Sequence, residues 1–222
     1  MDTHSIALLT IGIVEIVLAL FILLKNPKKE INISYSLFMA FVALWAFCIA
    51  IFRTVDNLDT AYLWSQIDYV AASLIASSFL FFAWVFPYRT KQLKFINYLI
   101  VIAPTVIIAI ILFTTDILTK ELIVRDWGRD VILGDFYSIY SMYFIGYWIW
   151  GLINLFNKFK QSDGIHRWQL KWLLWGISFS SALGVTFNLF LPLFGNYQLV
   201  MWGPELSVVW LIFTSCVIFK KT

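Results

Sequence analysis

The chain has 222 residues and a net charge of +3, with 61% hydrophobic and only 13% charged residues. Soluble domains carry about 25% charged residues, so this composition excludes an ordinary soluble protein. The net charge does not indicate nucleic-acid binding, because the basic residues fall between the apolar runs and form no basic patch.

Seven apolar runs predict an all-α fold, a bundle of seven transmembrane helices that forms a single membrane domain over residues 1–222. Each run is long enough to cross about 30 Å of hydrocarbon at about 1.5 Å per residue. The predicted helices cover residues 5–24, 33–52, 61–86, 95–113, 136–156, 168–194 and 197–219.

Lysine and arginine are unevenly distributed among the segments between these runs. Eleven of the 16 follow the first, third, fifth or seventh run, and Lys171 lies at the start of the sixth, on the same side; four follow the second or fourth run. Because cytoplasmic segments of membrane proteins are enriched in Lys and Arg, we predict that the N-terminus is outside and the C-terminus inside.

The segment 114–135, between helices four and five, contains two β-prone runs, ELIVR (121–125) and DVIL (130–133). They flank a turn around Gly128, which predicts a small extracellular β-hairpin. Such a hairpin either only covers the helix ends or also contacts a ligand, and the sequence leaves both interpretations open.

Three carboxylates lie inside predicted spans: Glu15, Asp68 and Glu205. A charge near the bilayer centre costs about 2.5–3.5 kcal/mol on insertion scales, so such residues face the bundle interior. From the helix rise, we expect Asp68, Glu205 and Asn188 in the outer half of the membrane and Glu15 near its centre.

Helix five adds a stripe of tyrosines at three- and four-residue spacing, which places their hydroxyls on one helical face. An inward stripe would supply hydrogen-bond donors for the carboxylates. We therefore predict a ligand pocket that opens outward and is lined by Asp68, Tyr140, Tyr143, Asn188 and Glu205, with Glu15 as a further candidate. The alternative is that these groups only bond the helices to one another.

Pro104 and Pro204 lie within predicted spans, where each removes a backbone hydrogen bond. We expect Pro204, directly before Glu205, to kink the seventh helix and to act there as a static packing feature.

The sequence lacks the motifs of several membrane enzymes. His4 and His166 lie outside the predicted spans, and the chain contains no HExxH, no Walker A sequence and no lysine in the middle of helix seven. We therefore predict no enzymatic activity, no metal and no cofactor.

From Ala61 onward, several segments occur in a characteristic order: LWSQIDY (63–69), FLFFAWVFP (79–87), QLKWLLWG (169–176), NLFLP (188–192), Gly203-Pro204 and VIFK (217–220). This order resembles the N-terminal seven-helix sensory region of bacterial histidine kinases and diguanylate cyclases. Where that family carries a basic residue, this chain has Gln66, so the resemblance leaves Asp68 without its expected charge partner.

The resemblance implies a sensory module in a bacterial plasma membrane. It would detect a small-molecule or lipid ligand and signal through helices six and seven. In the family the seventh helix leads into an output module, whereas this sequence stops at Thr222. We therefore expect either a stand-alone receptor-like protein, with a cytoplasmic kinase or cyclase acting in trans, or a sensor whose gene is truncated or split.

Two other functions remain open at this point. The first is a small proton- or solute-coupled transporter that uses Glu15, Asp68 and Glu205 as relay sites. The second is a structural subunit of a larger membrane assembly. The sequence identifies neither the ligand nor the output partner of the sensory module.

Overall fold

The computed structural model describes residues 2–90 and 92–207. They form, in order, α1 (Thr3–Lys25), α2 (Glu30–Thr54), α3 (Leu58–Val85), α4 (Phe95–Thr114), β1 (Thr119–Arg125), β2 (Gly128–Leu133), α5 (Tyr137–Gln161) and α6 (Gly164–Val185). Helix α6 continues through a π-helical turn (Thr186–Phe190) and a last helical turn (Leu191–Leu193). A further helical segment begins at residue 202.

Within the described residues, six helices are long and apolar enough to cross a membrane. They match the first six predicted spans. Most of the predicted seventh span, 197–219, lies outside the described residues.

The predicted start of the seventh span is wrong by five residues. Residues 198–201 form turns, and the helix begins at residue 202. Pro204 therefore lies in the first helical turn, where backbone N–H groups have no partner within the helix. Within residues 202–207, Pro204 therefore breaks no hydrogen bond of the helix, so the expected cause of a kink does not apply there. Pro104, by contrast, lies inside α4 as predicted.

Helices α1 and α3 begin before their apolar runs because capping residues set their starts. Asp2 caps α1 by accepting a hydrogen bond from the Ser5 backbone N–H at 2.9 Å, and Asn57 caps α3 in the same way through Thr60 at 2.8 Å. The largest difference lies between α5 and α6. The loop predicted over 157–167 is reduced to residues 162 and 163.

Helix α3 lies at the centre of the bundle. It packs against α2, α4 and α5, while α1 packs against α2 and α6 against α5. Small side chains let these helices approach closely, and those buried on α3 include Ala71, Ser73, Ala76, Ser77 and Ala83. The outward faces of α1 and α4 remain apolar and exposed, as expected for surfaces that contact lipid.

Lys158 joins α5 to the end of α3. Its side chain is buried, and its ammonium donates hydrogen bonds of 2.8–3.0 Å to the backbone carbonyls of Ala83, Trp84, Phe86 and Tyr88. The last carbonyls of a helix have no partner within it, so Lys158 supplies one. The prediction that Lys158 lies in a loop is wrong, because α5 continues to Gln161.

The predicted hairpin is confirmed. Strands β1 and β2 pair antiparallel, with Arg125 opposite Gly128, and Gly128 has a φ of 144° at the turn. The Tyr62 hydroxyl of α3 donates to the Thr119 carbonyl at 2.8 Å, and the backbone N–H of Gly134 donates to Leu118 at 2.8 Å. These bonds hold the hairpin against one end of the bundle, which we call the hairpin end.

Candidate ligand cavity

A cavity of about 170 Å³ lies among α2, α3, α5, α6 and the segment 197–207. Its wall extends along α2 from Arg53 to Phe38, about 22 Å at the rise of an α-helix. Most of the wall is apolar, from side chains that include Val42, Trp45, Ile49, Ile75, Phe144 and Ile177. An apolar protein cavity of about 150 Å³ is known to bind benzene, so this cavity has room for a small hydrophobic molecule.

The hairpin contributes the wall at the hairpin end of the cavity, through Trp127, Arg129, Asp130 and Val131. Arg129 Nη1 donates to the carbonyl of Phe52 at 2.8 Å, which ties the turn to the end of α2. The buried carboxylate of Asp130 accepts from Arg125 Nε at 3.0 Å and from its neighbour's backbone N–H at 2.7 Å. The hairpin thus both covers helix ends and forms part of the cavity wall.

Tyr197 also lines this end of the cavity. Burial raises the pKa of its phenol above the ordinary value, and the negative charge of Asp130 raises it further. Tyr197 therefore remains a neutral phenol at the cavity wall.

Five polar atoms of residues on the cavity wall are buried and have no hydrogen-bond partner among the described residues. They are Arg53 Nε, Asp68 Oδ1, Trp148 Nε1, Ser180 Oγ and Asn188 Oδ1. A buried polar atom without a partner costs about 1–3 kcal/mol, so most such atoms in proteins are satisfied. Several of them on one cavity wall are typical of a place where another molecule supplies the partners.

Of the six predicted site residues, the structure brings three together on this wall: Asp68, Tyr140 and Asn188. Asp68 has no cationic partner in the part of the chain that the structure describes, as the resemblance implied from Gln66. Gln66 instead donates to the Leu112 carbonyl at 2.7 Å.

The tyrosine stripe does not supply donors to carboxylates, and this expectation is wrong. The hydroxyls of α5 donate to backbone carbonyls: Tyr140 to Tyr69 at 3.2 Å, and Tyr147 to Ile100 at 2.6 Å. Tyr143 contacts Ser77 at 2.9 Å, away from the cavity wall. The stripe faces α3, which packs against that side of α5, and its first member, Tyr137, donates to the Asn188 carbonyl of the π-helical turn at 3.3 Å.

Glu205 lies against the start of α1. Its Oε1 is 2.8 Å from Nδ1 of His4, and the rings of His4 and Trp202 meet edge-on at 5.7 Å. Gly203 and Ser207 line the cavity. Position 205 is turned about 200° away from 203 on a helix, so Glu205 is not part of the wall as described.

Glu15 is fully buried and contacts Ser207, whose Oγ is 2.6 Å from Glu15 Oε1. The same hydroxyl is 2.6 Å from the Pro204 carbonyl. Glu15 thus joins α1 to the segment 202–207, and like Glu205 it lies outside the cavity wall that the described residues form.

The π-helical turn places Asn188 at the cavity. Its side chain donates to the Gly184 carbonyl at 3.2 Å, and its own carbonyl accepts from the Tyr137 hydroxyl at 3.3 Å. Asn188 also packs against Gly203 so closely that a Cβ there would overlap its amide. π-Helical turns occur frequently at functional sites, and this one connects α6 to the segment 202–207.

The sequence analysis missed Trp148, Ser180 and the arginines of the wall. Trp148 lies four residues after Phe144 and eight after Tyr140, so all three are on the same face of α5. The helical periodicity that selected Tyr140 could therefore have found Trp148. No local signal marks Ser180 or Arg129, because their placement depends on how α6 and the hairpin pack. Among the described residues, no cluster of His, Cys, Asp and Glu has the composition of a metal site.

The helices and the partly polar cavity define a polytopic membrane protein with an internal candidate ligand site. The family model for the N-terminal 7TM region of histidine kinase matches residues 7–220 of this chain. The chain therefore belongs to this family of membrane sensor modules, and the resemblance seen in the sequence is confirmed. Comparisons with curated proteins and with solved structures gave no match.

Proposed function

We propose that this chain is the sensory module of a bacterial plasma-membrane signalling system and that its ligand binds in the cavity. The observation that carries the proposal is the set of unpartnered polar atoms on an otherwise apolar wall. Small-molecule sites have this composition, mostly apolar with a few placed polar groups. The family supports the sensory role.

The proposed orientation has seven spans, with the N-terminus and the hairpin outside and the C-terminus in the cytoplasm. It is supported by the excess of Lys and Arg at the end of the bundle opposite the hairpin. The ligand would then reach the cavity from the outer side, through or beside the hairpin.

The proposed signal passes through α6 and the seventh helix. Both contribute to the cavity wall, and Asn188 in the π-helical turn contacts Gly203. A ligand changes this packing only if it binds two arrangements with different affinity. The cytoplasmic ends of the two helices would transmit the change to a histidine kinase or cyclase.

Chemical crosslinking in native membranes, followed by mass spectrometry of the captured proteins, tests the signalling role. We expect a histidine kinase or cyclase to be recovered through the cytoplasmic end of the chain. Recovery of permease subunits instead would contradict the proposal.

The transporter interpretation has less structural support. Glu15 contacts Ser207, Glu205 contacts His4, and Asp68 lines the cavity, so the three carboxylates have separate surroundings. Ion or solute flux in proteoliposomes distinguishes the two functions, because a sensor moves nothing across the membrane.

A further inference from the structure

The polar atoms of the cavity indicate what kind of ligand they would bind. Asn188 Oδ1 is an acceptor, since the amide nitrogen of the same side chain already donates to Gly184, and the ionised carboxylate of Asp68 can only accept. Ser180 can accept or donate, whereas Trp148 Nε1 and, at the hairpin end, Arg53 Nε can only donate. A ligand that satisfies Asp68 and Asn188 therefore has to bring hydrogen-bond donors to that part of the wall.

The charge of the wall indicates a cationic donor. Asp68 lies ten residues into α3, about 15 Å along the helix from the hairpin end. The arginines of the wall lie at that end, where Arg53 forms an ion pair with Asp2 and Arg129 donates to the Phe52 carbonyl. Within the described chain, therefore, no cation is bonded to Asp68.

Two aromatic rings lie beside Asp68. Tyr69 is the next residue of α3, its ring meets that of Tyr140 edge-on at 5.5 Å, and both residues line the cavity. The faces of aromatic rings attract cations, and desolvated sites of this kind recognise organic ammonium groups.

From these three observations we infer that the cavity binds an organic ammonium ion with a hydrophobic tail. Its N–H groups donate to Asp68 Oδ1 and to Asn188 or Ser180, and its tail packs against the apolar wall toward Phe38 and Ile177. The inference rests on the proposed function, since it names the ligand class of that site.

The test uses the full chain in lipid nanodiscs at neutral pH and three probes with the same tail: n-octylammonium, n-octanol and n-octanoate. Binding is measured by titration of the thermal unfolding midpoint. We expect octylammonium to bind the wild type more tightly than the other two probes. Asp68→Asn should weaken octylammonium binding by about tenfold or more, and Asp68→Glu, which keeps the charge, should weaken it less.

Two glycines provide a matched pair for the cavity itself. Gly184 lies on the cavity wall and Gly146 does not; both are in long helices, and nothing lies within 4 Å of a Cβ added at either position. We expect Gly184→Leu to fill the cavity and abolish octylammonium binding, whereas Gly146→Leu should keep it.

The inference is overturned if octanol or octanoate binds the wild type as tightly as octylammonium does, or if Asp68→Asn binds octylammonium unchanged. If Asp68→Asn does not fold, the comparison of the three probes on the wild type decides. Binding of octanol or octanoate that Gly184→Leu abolishes would reject the ammonium class and leave the cavity as a ligand site. Identical binding of all probes to the two glycine variants would reject both the ammonium class and the cavity as a ligand site.

Discussion

Lys158 is the residue on which the packing of α5 against α3 depends most directly. Its ammonium is buried and serves the carbonyls at the end of α3. Hydrogen bonds to charged groups contribute about 1.5–3 kcal/mol, and their loss leaves buried acceptors without partners. We predict that Lys158→Met lowers the free energy of unfolding in detergent by about 3 kcal/mol.

Lys160 provides the control for Lys158. It is exposed on the same helix, and its ammonium lies over the Phe156 ring at 4.6 Å. Lys160→Met should change stability by less than about 1 kcal/mol. Equal losses in the two variants would show that the cap on α3 contributes nothing specific.

Asp2 gives the start of α1 a pH dependence. A hydrogen bond from Ser5, followed by the guanidinium of Arg53, holds the pKa of its carboxyl below the ordinary 3.8. A lowered pKa stabilises the fold above the ordinary value, and this stability is lost as the pH falls toward the lowered one. We predict that wild type has a higher unfolding midpoint than Asp2→Asn at pH 6 and that the difference shrinks below about pH 4.

Asparagine is a suitable replacement because it still caps a helix, so the comparison isolates the charge. Unfolding midpoints of both proteins, measured from pH 6 down to pH 3, provide the test. A difference that stays constant over this range would contradict the assignment.

Among the elements, the stability of the hairpin depends on Gly134, the residue that directly follows β2. A Cβ at this position would overlap the backbone carbonyl of Ile117, and the backbone there cannot move aside while Gly134 N–H remains bonded to Leu118. We predict that Gly134→Ala destabilises the hairpin and makes it more sensitive to limited proteolysis.

Gly146→Ala is the matched substitution. It lies inside α5 with open space around an added Cβ, and alanine is favoured over glycine in a helix by about 0.5–1 kcal/mol. It should therefore leave proteolysis of the hairpin unchanged. The account of Gly134 fails if both variants are cleaved at the same rate.

The elements also show what the sequence could and could not predict. Hydropathy located six spans because crossing the bilayer requires long apolar helices, and turn chemistry located the hairpin. Hydropathy could not determine how far each helix is rotated about its axis, because lipid and the protein interior are similarly apolar. This is why Tyr143 and Glu205, which were expected on the cavity wall together with Asp68, contact Ser77 and His4 instead.

For the molecule as a whole, the proposed orientation predicts which surfaces face the outside of the cell. In a variant with Cys48 and Cys216 replaced by alanine, single cysteines are placed at Glu121 in the hairpin and at Asp163 between α5 and α6, both exposed. A membrane-impermeant maleimide should label Glu121→Cys in intact cells and Asp163→Cys only after permeabilisation. The reverse labelling pattern would place the hairpin in the cytoplasm and contradict the proposed orientation.

The central claim, that the cavity is the ligand site, is tested most directly by the unfolding midpoint in the presence of a lipid-soluble extract of the source cells. Wild type, Gly184→Leu and Gly146→Leu are compared in nanodiscs. The account predicts that the extract raises the midpoint of wild type and Gly146→Leu but leaves Gly184→Leu unchanged, since only that side chain fills the cavity. An equal response of all three proteins, including none at all, would contradict it.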